Sequence, residues 1–431
     1  MLSLQIRHHL LTNGPTTANQ VCAALKITQS TFSRQIKSIK PDIHIIGATK
    51  NTQYALKREV FNLGSSLPMF YLQQNGETIH AADLLFIKPR GIYVKANLKT
   101  VNSKYYQMLP YFLDDLRPAG FLGRLIPKKH PELGFNTDIK NWGEDTCIMY
   151  FTMLGWDLIG NILIGEKALA LFNHKKQSQE FLVNRSQREV TYNKLAEEVI
   201  LLGAAGSSAA GEQPKFLAVV KSDNILMPVL VKFSPICDSP VQKRRRELLE
   251  AEYIALTVLR EKNKLAAEAE LIKTPQRVFL ETKRFDRLGM TGRYGVISLA
   301  ALDNEFAGSG GTWRDIAKQL LELKIIDKKI YAEILFFYYF GICIHNTEMH
   351  SGNLSLYVEG ERVIGLAPIY DMLPMAYAPV FEEVRVGEVQ VPEVMVPPQE
   401  SGVYAEAKRI ADIFWGRCCE AGVEFWQKGR D

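Results

Sequence analysis

The chain has 431 residues, a net charge of +5, and 47% hydrophobic and 23% charged residues. That is the makeup of a folded globular protein of about two to four domains, not of a disordered or fibrous one. No apolar run reaches the roughly 18 residues of a membrane helix, and the start, MLSLQIRHHLLTNG, lacks the pattern of a secretory leader. A cytoplasmic protein without a membrane partner is therefore expected.

The charge is unevenly placed. Residues 1–58 carry eight lysines and arginines against Asp42 alone, a net +7, which leaves −2 for the rest of the chain. Thr17 and Gln20 form a capping-box pair opening a helix that runs to Lys26, with Val21 and Leu25 inward. A second helix is expected over 29–39, with Phe32, Ile36 and Ile39 buried and Ser30, Arg34 and Lys37 on the opposite face. Those three offer phosphate and base-edge donors at recognition-helix spacing. Pro41 ends the helix. Strands at 43–46 and 53–56 follow, with Lys50 at the hairpin tip between them. Helix, turn, helix, hairpin is the order of a winged helix-turn-helix, and the local positive charge fits DNA. The alternative is a protein-interaction module with a solvated basic face.

Residues 60–190 read as mixed α/β, with strands near 65–72, 82–87 and 91–95. A helix is expected over 100–116, a loop-rich stretch over 121–134, and a second helix over 145–155. Nothing in this part has the spacing of a catalytic set. The six cysteines, Cys22, Cys147, Cys237, Cys343, Cys418 and Cys419, form no CxxC pair and no zinc spacing, which suits reduced core thiols.

The chemistry begins at GAAGSSAAGEQPKF (203–216), a small-residue loop of the kind that brings backbone N–H groups close to phosphates, although it lacks the GK[ST] of a Walker A sequence. A strand at 216–220 and the run MPVLVKFSP (227–235) follow. A lysine inside such a strand is costly to bury without a partner. Kinases use one to hold ATP phosphates and pair it with a helix glutamate; Lys232 and Glu252, the latter on the helix 243–262, have these places. A surface lysine and a solvated glutamate are the alternative. ETKRFDRLG (281–289) suits a link between two lobes, with Phe285 placed to pack on an adenine ring and Asp286 structural. The long apolar helix 329–344 leads into HNTEMHSGNLSL (345–356). An acid five residues before an asparagine on a loop is a phosphotransfer arrangement, Glu348 taking or orienting the hydroxyl proton and Asn353 binding Mg²⁺. Asp371 in LAPIYDMLP supplies the second magnesium ligand. EVQVPEVMVPPQES (388–401) reads as an exposed loop, and 402–422 as a helix packing on the larger lobe.

The order SxAGxQxK, strand lysine, ExE helix, RFDR, DxHxxN and PxYD resembles the HipA family of bacterial Ser/Thr kinases over roughly residues 60–380, in the form that carries its own N-terminal DNA-binding domain. The resemblance implies an α+β, two-lobed protein-kinase-like fold preceded by the winged helix-turn-helix. It places the winged helix at 1–58, an N-terminal subdomain at 59–190, the small lobe at 191–290 and a helical large lobe at 291–431. It also implies ATP and Mg²⁺ as cofactors. Ser208, Ala210, Gly211, Gln213 and Lys215 would form a phosphate-binding loop, autophosphorylated at Ser208 or its neighbour Ser207. The expected partners are DNA, a protein substrate such as an aminoacyl-tRNA synthetase, and a second copy of the chain. One position departs from the family, which has aspartate where Glu348 stands. Two other readings stay open: a DNA-binding regulator whose kinase body has lost transfer, and a nuclease using His345, Glu348, His350 and Asp371 to hold a metal.

Overall fold

The computed structural model describes residues 1–47, 51–175, 182–204, 213–223, 225–380, 383–384 and 394–423. The chain forms two compact units, one of residues 1–117 with 141–177 and one of residues 118–140 with 178 onward.

In the first unit, α1 (Leu2–Asn13) precedes β1 (Thr16–Thr17), α2 (Ala18–Leu25), α3 (Gln29–Ser38), β2 (Ile43–Ile46) and β3 (Gln53–Leu56). The Thr17–Gln20 capping box forms as the sequence dictates. Thr28 caps α3 by accepting the Thr31 N–H. The helix α1 was not anticipated: its apolar residues do not gather on one face, so it carries little periodic signal. Ile6 and Leu10 of α1 pack with Val21, Phe32, Ile36, Ile43 and Leu56. Strand order is β1-β3-β2, with Ile45 opposite Tyr54.

β4 (Ser66–Leu72), β5 (Thr78–Phe86), β6 (Ile92–Ala96) and β7 (Lys104–Tyr106) follow, then α4 (Tyr111–Asp114). After α5 (Gly120–Lys129), which belongs to the second unit, come α6 (Glu144–Leu154), β8 (Ile162–Ile164) and α7 (Gly165–Lys175). The strands make an antiparallel sheet of order β7-β6-β5-β4-β8. The β2–β3 hairpin is buried on both faces. Ile43, Tyr54 and Leu56 meet the three helices, whereas Ile46 and Ala55 meet Leu85, Ile87, Tyr93 and Tyr105 of the five-stranded sheet. His44 lies on that second side and donates from Nε2 to the Ser65 carbonyl at 3.1 Å, with burial holding its imidazole below the ordinary range. Arg58, ion-paired with Asp145 and set over the Phe86 ring, closes the join.

Two expectations are corrected here. Residues 100–116 are not one helix: Lys104–Tyr106 pairs with β6 (Tyr106 opposite Ile92), and only Tyr111–Asp114 is helical. Pro110 forces the break, because it lacks an N–H and holds the residue before it extended. Conversely, 121–134 is not loop-rich, since α5 occupies Gly120–Lys129. Its Gly123 is a packing residue rather than a breaker: a Cβ there would lie 2.8 Å from the Pro118 carbonyl carbon and 3.1 Å from Ile139. Phe121 and Leu125 enter the core of the second unit beside Val183, Tyr192, Phe216 and Phe279, so 118–140 belongs to that unit.

The second unit continues with β9 (Leu182–Asn184), α8 (Arg188–Ala204), β10 (Lys215–Ser222), β11 (Ile225–Phe233), α9 (Pro240–Glu261), β12 (Ala269–Lys273) and β13 (Val278–Lys283). Their order is β12-β13-β11-β10-β9, antiparallel except for the parallel β9–β10 pair. Hairpin β14 (Arg287–Leu288) and β15 (Gly292–Arg293) follows. Then β16 (Gly295–Ser298) joins β17 (Ser355–Glu359) and β18 (Arg362–Leu366) in a three-stranded sheet. The remaining helices are α10 (Leu299–Leu302), α11 (Trp313–Glu322), α12 (Lys328–Cys343) and α13 (Ser401–Glu420), with α12 packed between α11 and α13. α13 also packs on α9. The stretch 388–401, read as an exposed loop, is described only from 394. Its Glu400 is buried, accepting from the Tyr339 hydroxyl at 2.5 Å and from Arg314 Nη2 at 3.1 Å.

A buried ion network fixes α8 to the sheet. Arg188 donates to Glu270 at 2.7 Å and to Glu281 at 3.0 Å, and the Tyr192 hydroxyl donates to Glu281 at 2.6 Å. Glu281 is 2% exposed. Replacing Arg188 with alanine leaves that carboxylate without its cation and is expected to cost about 3 kcal/mol in a urea-unfolding measurement. A loss within about 0.5 kcal/mol, the range of ordinary surface substitutions, would show that the network does not hold the helix.

Candidate functional site

Register places the cationic residues. In the β10–β11 pair Lys215 lies opposite Lys232, and Leu217 opposite Leu230. Side chains of a strand alternate faces, so these four share one face. Phe216, Ala218, Val229, Val231 and Phe233 occupy the other and build the core against α5 and α8. The shared face is thus an apolar pair, Leu217 and Leu230, next to two lysines.

Lys232 is 4% exposed and Glu252 1% exposed. The ammonium donates to both Glu252 carboxylate oxygens, at 2.6 and 2.7 Å, and also to the Asp371 carboxylate. The expected strand-lysine and helix-glutamate pair is therefore present and deeply buried; neither residue is at the surface. Helix α9 presents Glu252 because Ser239 caps it and Pro240 occupies its first turn. Burial works to neutralise Lys232, but Asp371 and Glu252 outweigh it and raise the ammonium above its ordinary range. Burial also pushes the Glu252 carboxyl up, against the pull of Lys232. On Asp371 burial works upward too, yet Lys232 and Lys215 outweigh it and hold that carboxyl below its usual range.

The loop after α12 is tied to Asp371 by a residue that the sequence reading passed over. Asn346, 5% exposed, accepts the Glu348 N–H on Oδ1 at 3.0 Å and donates from Nδ2 to the Asp371 carbonyl at 3.2 Å. Asp371 has a positive φ of 53°, a conformation uncommon outside glycine and tolerated by aspartate. One buried amide therefore fixes the backbone at both acids. The signal was an asparagine two residues before a loop acid, the spacing of an Asx-turn. Asn353 donates from Nδ2 to the Glu348 carbonyl at 3.0 Å, which leaves its Oδ1 as an acceptor. The Trp313 indole N–H donates to the His350 carbonyl at 2.9 Å. Met349 packs onto α12 at Gly341, where an added Cβ would lie 2.1 Å from its sulfur.

The remaining sequence-named residues fall as follows. Glu348 is exposed on the loop. Gln213 donates to the Phe233 carbonyl at 2.5 Å. Phe285 stacks on Tyr370, the neighbour of Asp371, at 5.6 Å between centroids. Asp286 is buried between Arg284 and Arg287. His345 is turned away to Tyr377 and Trp415, its Nδ1 3.1 Å from the Tyr377 hydroxyl. Among the described residues no three His, Cys, Asp or Glu side chains converge as a metal site would require, so the nuclease set is not assembled. Ser30, Arg34 and Lys37 are exposed together on α3. Lys50, Ser207, Ser208, Ala210 and Gly211 lie outside the described residues.

Residues 63–173 match the family described as YjjJ-like toxin, middle domain, and residues 207–410 match the HipA-like C-terminal domain. A chain of the Shewanella oneidensis MR-1 toxin–antitoxin complex of HipA, HipB and operator DNA aligns over 84% of this chain and 92% of its own length, with a TM-score of 0.50 and 16% identity. The fold is thus the mixed α/β fold of HipA. Toxin YjjJ of Escherichia coli (strain K12) is 34% identical over 372 residues, 86% of this chain and 83% of that toxin. On that identity and coverage the chain belongs to the HipA-like toxins, with a YjjJ-like middle domain.

Proposed function

We propose that the chain is an ATP- and Mg²⁺-dependent serine/threonine protein kinase toxin whose N-terminal module is a DNA-binding winged helix-turn-helix. The observation that carries the kinase reading is the buried Lys232 ammonium held by Glu252 and Asp371. A charge this deep is retained only where it is paired and has work to do. Lys232 and Lys215 would bind ATP phosphates, with Leu217 and Leu230 over the base and Phe285 at its edge. The Gly/Ser loop, including Ser208, Ala210, Gly211 and Gln213, would close on the phosphates.

The donor set suits Mg²⁺: one carboxylate, Asp371, and one amide oxygen, Asn353, leave room for phosphate oxygens. Bound there, the ion would neutralise phosphate charge. In the transfer the substrate hydroxyl oxygen bonds to the γ-phosphorus, the bond from that phosphorus to the β–γ bridging oxygen breaks, and ADP departs. The hydroxyl proton passes to Glu348. The acceptors would be a protein hydroxyl in trans, for example on a translation component such as an aminoacyl-tRNA synthetase, and Ser207 or Ser208 in cis. The setting would be the cytoplasm.

The test is incubation with γ-labelled ATP and Mg²⁺, followed by mass spectrometry of the full chain. Phosphate on Ser207 or Ser208 that disappears in Asp371→Asn supports the reading; no phosphate transfer to the chain or to added protein sinks it. Glu348 favours one second reading, a DNA-binding regulator that binds ATP without transferring phosphate.

For DNA, α3 would present Ser30, Arg34 and Lys37, and the hairpin Lys50. The double substitution Arg34→Ala/Lys37→Ala is expected to flatten the slope of log affinity against log salt by about 1 to 2 units. A slope unchanged from the parent would place the DNA contact elsewhere or remove it.

A further inference from the structure

The loop 345–353 is anchored at both ends. Upstream, Asn346 donates to the Asp371 carbonyl. Downstream, Leu354 is 1% exposed, and its carbonyl accepts the Leu299 N–H at 2.8 Å where β17 begins. Between these anchors Asn353 sits in the short helical turn Ser351–Asn353, which its own N–H closes by donating to the His350 carbonyl at 2.9 Å. The Trp313 indole N–H donates to that same carbonyl, also at 2.9 Å. A carbonyl oxygen has two lone pairs, so the two donors fill it.

Trp313 reaches this carbonyl from a rigid support. Thr312 caps α11 in a reciprocal capping box with Asp315. Trp313, itself 1% exposed, opens the buried stripe that continues through Ile316, Ala317 and Leu320. The helix packs on α12, whose end leads into the loop. Burial of a large ring would be met as well by phenylalanine. The indole adds a donor that is costly to bury without an acceptor, and the acceptor it has is the carbonyl that sets the backbone of Asn353. A further tie from outside the turn, the Tyr370 hydroxyl to the Gly352 carbonyl, is longer at 3.4 Å. The bond from Asn353 Nδ2 to the Glu348 carbonyl stays inside the loop. It fixes the side chain relative to the loop, not the loop relative to the helices.

The geometry points to Trp313 as a positioning residue for Asn353: through the His350 carbonyl it holds the proposed magnesium ligand in place relative to Asp371. The inference rests on the kinase reading, in which Asn353 Oδ1 and Asp371 share the ion. Trp313 acts at one remove, as do the outer partners of metal ligands, whose loss weakens metal binding about tenfold or more. The proposed phosphate-binding lysines, Lys215 and Lys232, lie on β10 and β11. Their hold on a nucleotide does not pass through α11, so metal-dependent and metal-independent binding should separate.

Calorimetric titration of the full chain with ADP, first in EDTA and then across a series of Mg²⁺ concentrations, tests this. In the parent, Mg²⁺ should tighten ADP binding. In Trp313→Phe the Mg²⁺ concentration that gives half of the tightening should rise about tenfold, while ADP affinity in EDTA stays within about twofold of the parent. Replacing Trp313 with benzothienylalanine, which keeps the ring's shape and puts sulfur in place of its N–H, should give the same split. That second variant keeps the test decisive if the phenylalanine form fails to fold. An unchanged Mg²⁺ requirement in the variants, or a loss of ADP affinity that is equal with and without the metal, overturns the inference and leaves the kinase reading standing. If the parent binds no ADP, or binds it without response to Mg²⁺, the proposed magnesium site fails first and the inference falls with it.

Discussion

Glu348→Asp is expected to raise the rate of phosphate transfer about a hundredfold, the effect that misplacing a reacting group by about 1 Å produces. The direction follows from how the loop is held. The Glu348 N–H is bound to Asn346 Oδ1 and its carbonyl receives Asn353 Nδ2. Asn346 in turn holds the Asp371 carbonyl. The backbone at 348 is thereby fixed relative to both proposed magnesium ligands and cannot draw back for a longer side chain. Glutamate consequently carries its carboxylate one carbon–carbon bond too far, about 1.5 Å. Initial rates at saturating ATP for the two forms decide the matter. Equal rates would mean that the loop places glutamate productively. No transfer by either form, with ATP still bound, would turn the assignment to the DNA-binding regulator.

Lys232→Met should destabilise the fold by about 3 to 5 kcal/mol, the penalty for removing one partner of a buried ion pair, and abolish transfer as well. Glu252 would be left 1% exposed with its cation gone. Burial already pushes its carboxyl upward in the parent; without Lys232 the folded value rises further. Between the ordinary carboxyl range and that raised value, the folded variant binds more protons than the unfolded chain. Its stability therefore falls as pH rises, and the deficit against the parent is larger at pH ~8 than at pH ~6. Urea unfolding at the two pH values measures this. Adding Glu252→Gln to Lys232→Met should recover most of the loss, because the stranded charge is then absent. A loss in Lys232→Met below about 1 kcal/mol would contradict the burial of the pair.

What the sequence determined by itself is largely local. Thr17 and Gln20 announced α2 and Pro41 the end of α3, because caps and proline act within a few residues of backbone. The Lys232–Glu252 pair was legible for another reason: a lysine in an apolar strand demands a counter-charge, and Glu252 lay on the helix that follows. Where the decisive contact comes from far along the chain, the sequence was silent or misled. Tyr105 and Tyr106 looked helical until pairing with β6 made them a strand. The stretch 121–134 read as loop-rich, yet α5 occupies Gly120–Lys129 and the close approach of Gly123 to Pro118 is what makes glycine fit there. The two-sided burial of the β2–β3 hairpin, the hold of Asn346 on Asp371 and the second partner of Lys232, Asp371 from 139 residues away, were decided only by tertiary structure. Such contacts are fixed by how layers pack and not by backbone propensity, so no local pattern encodes them.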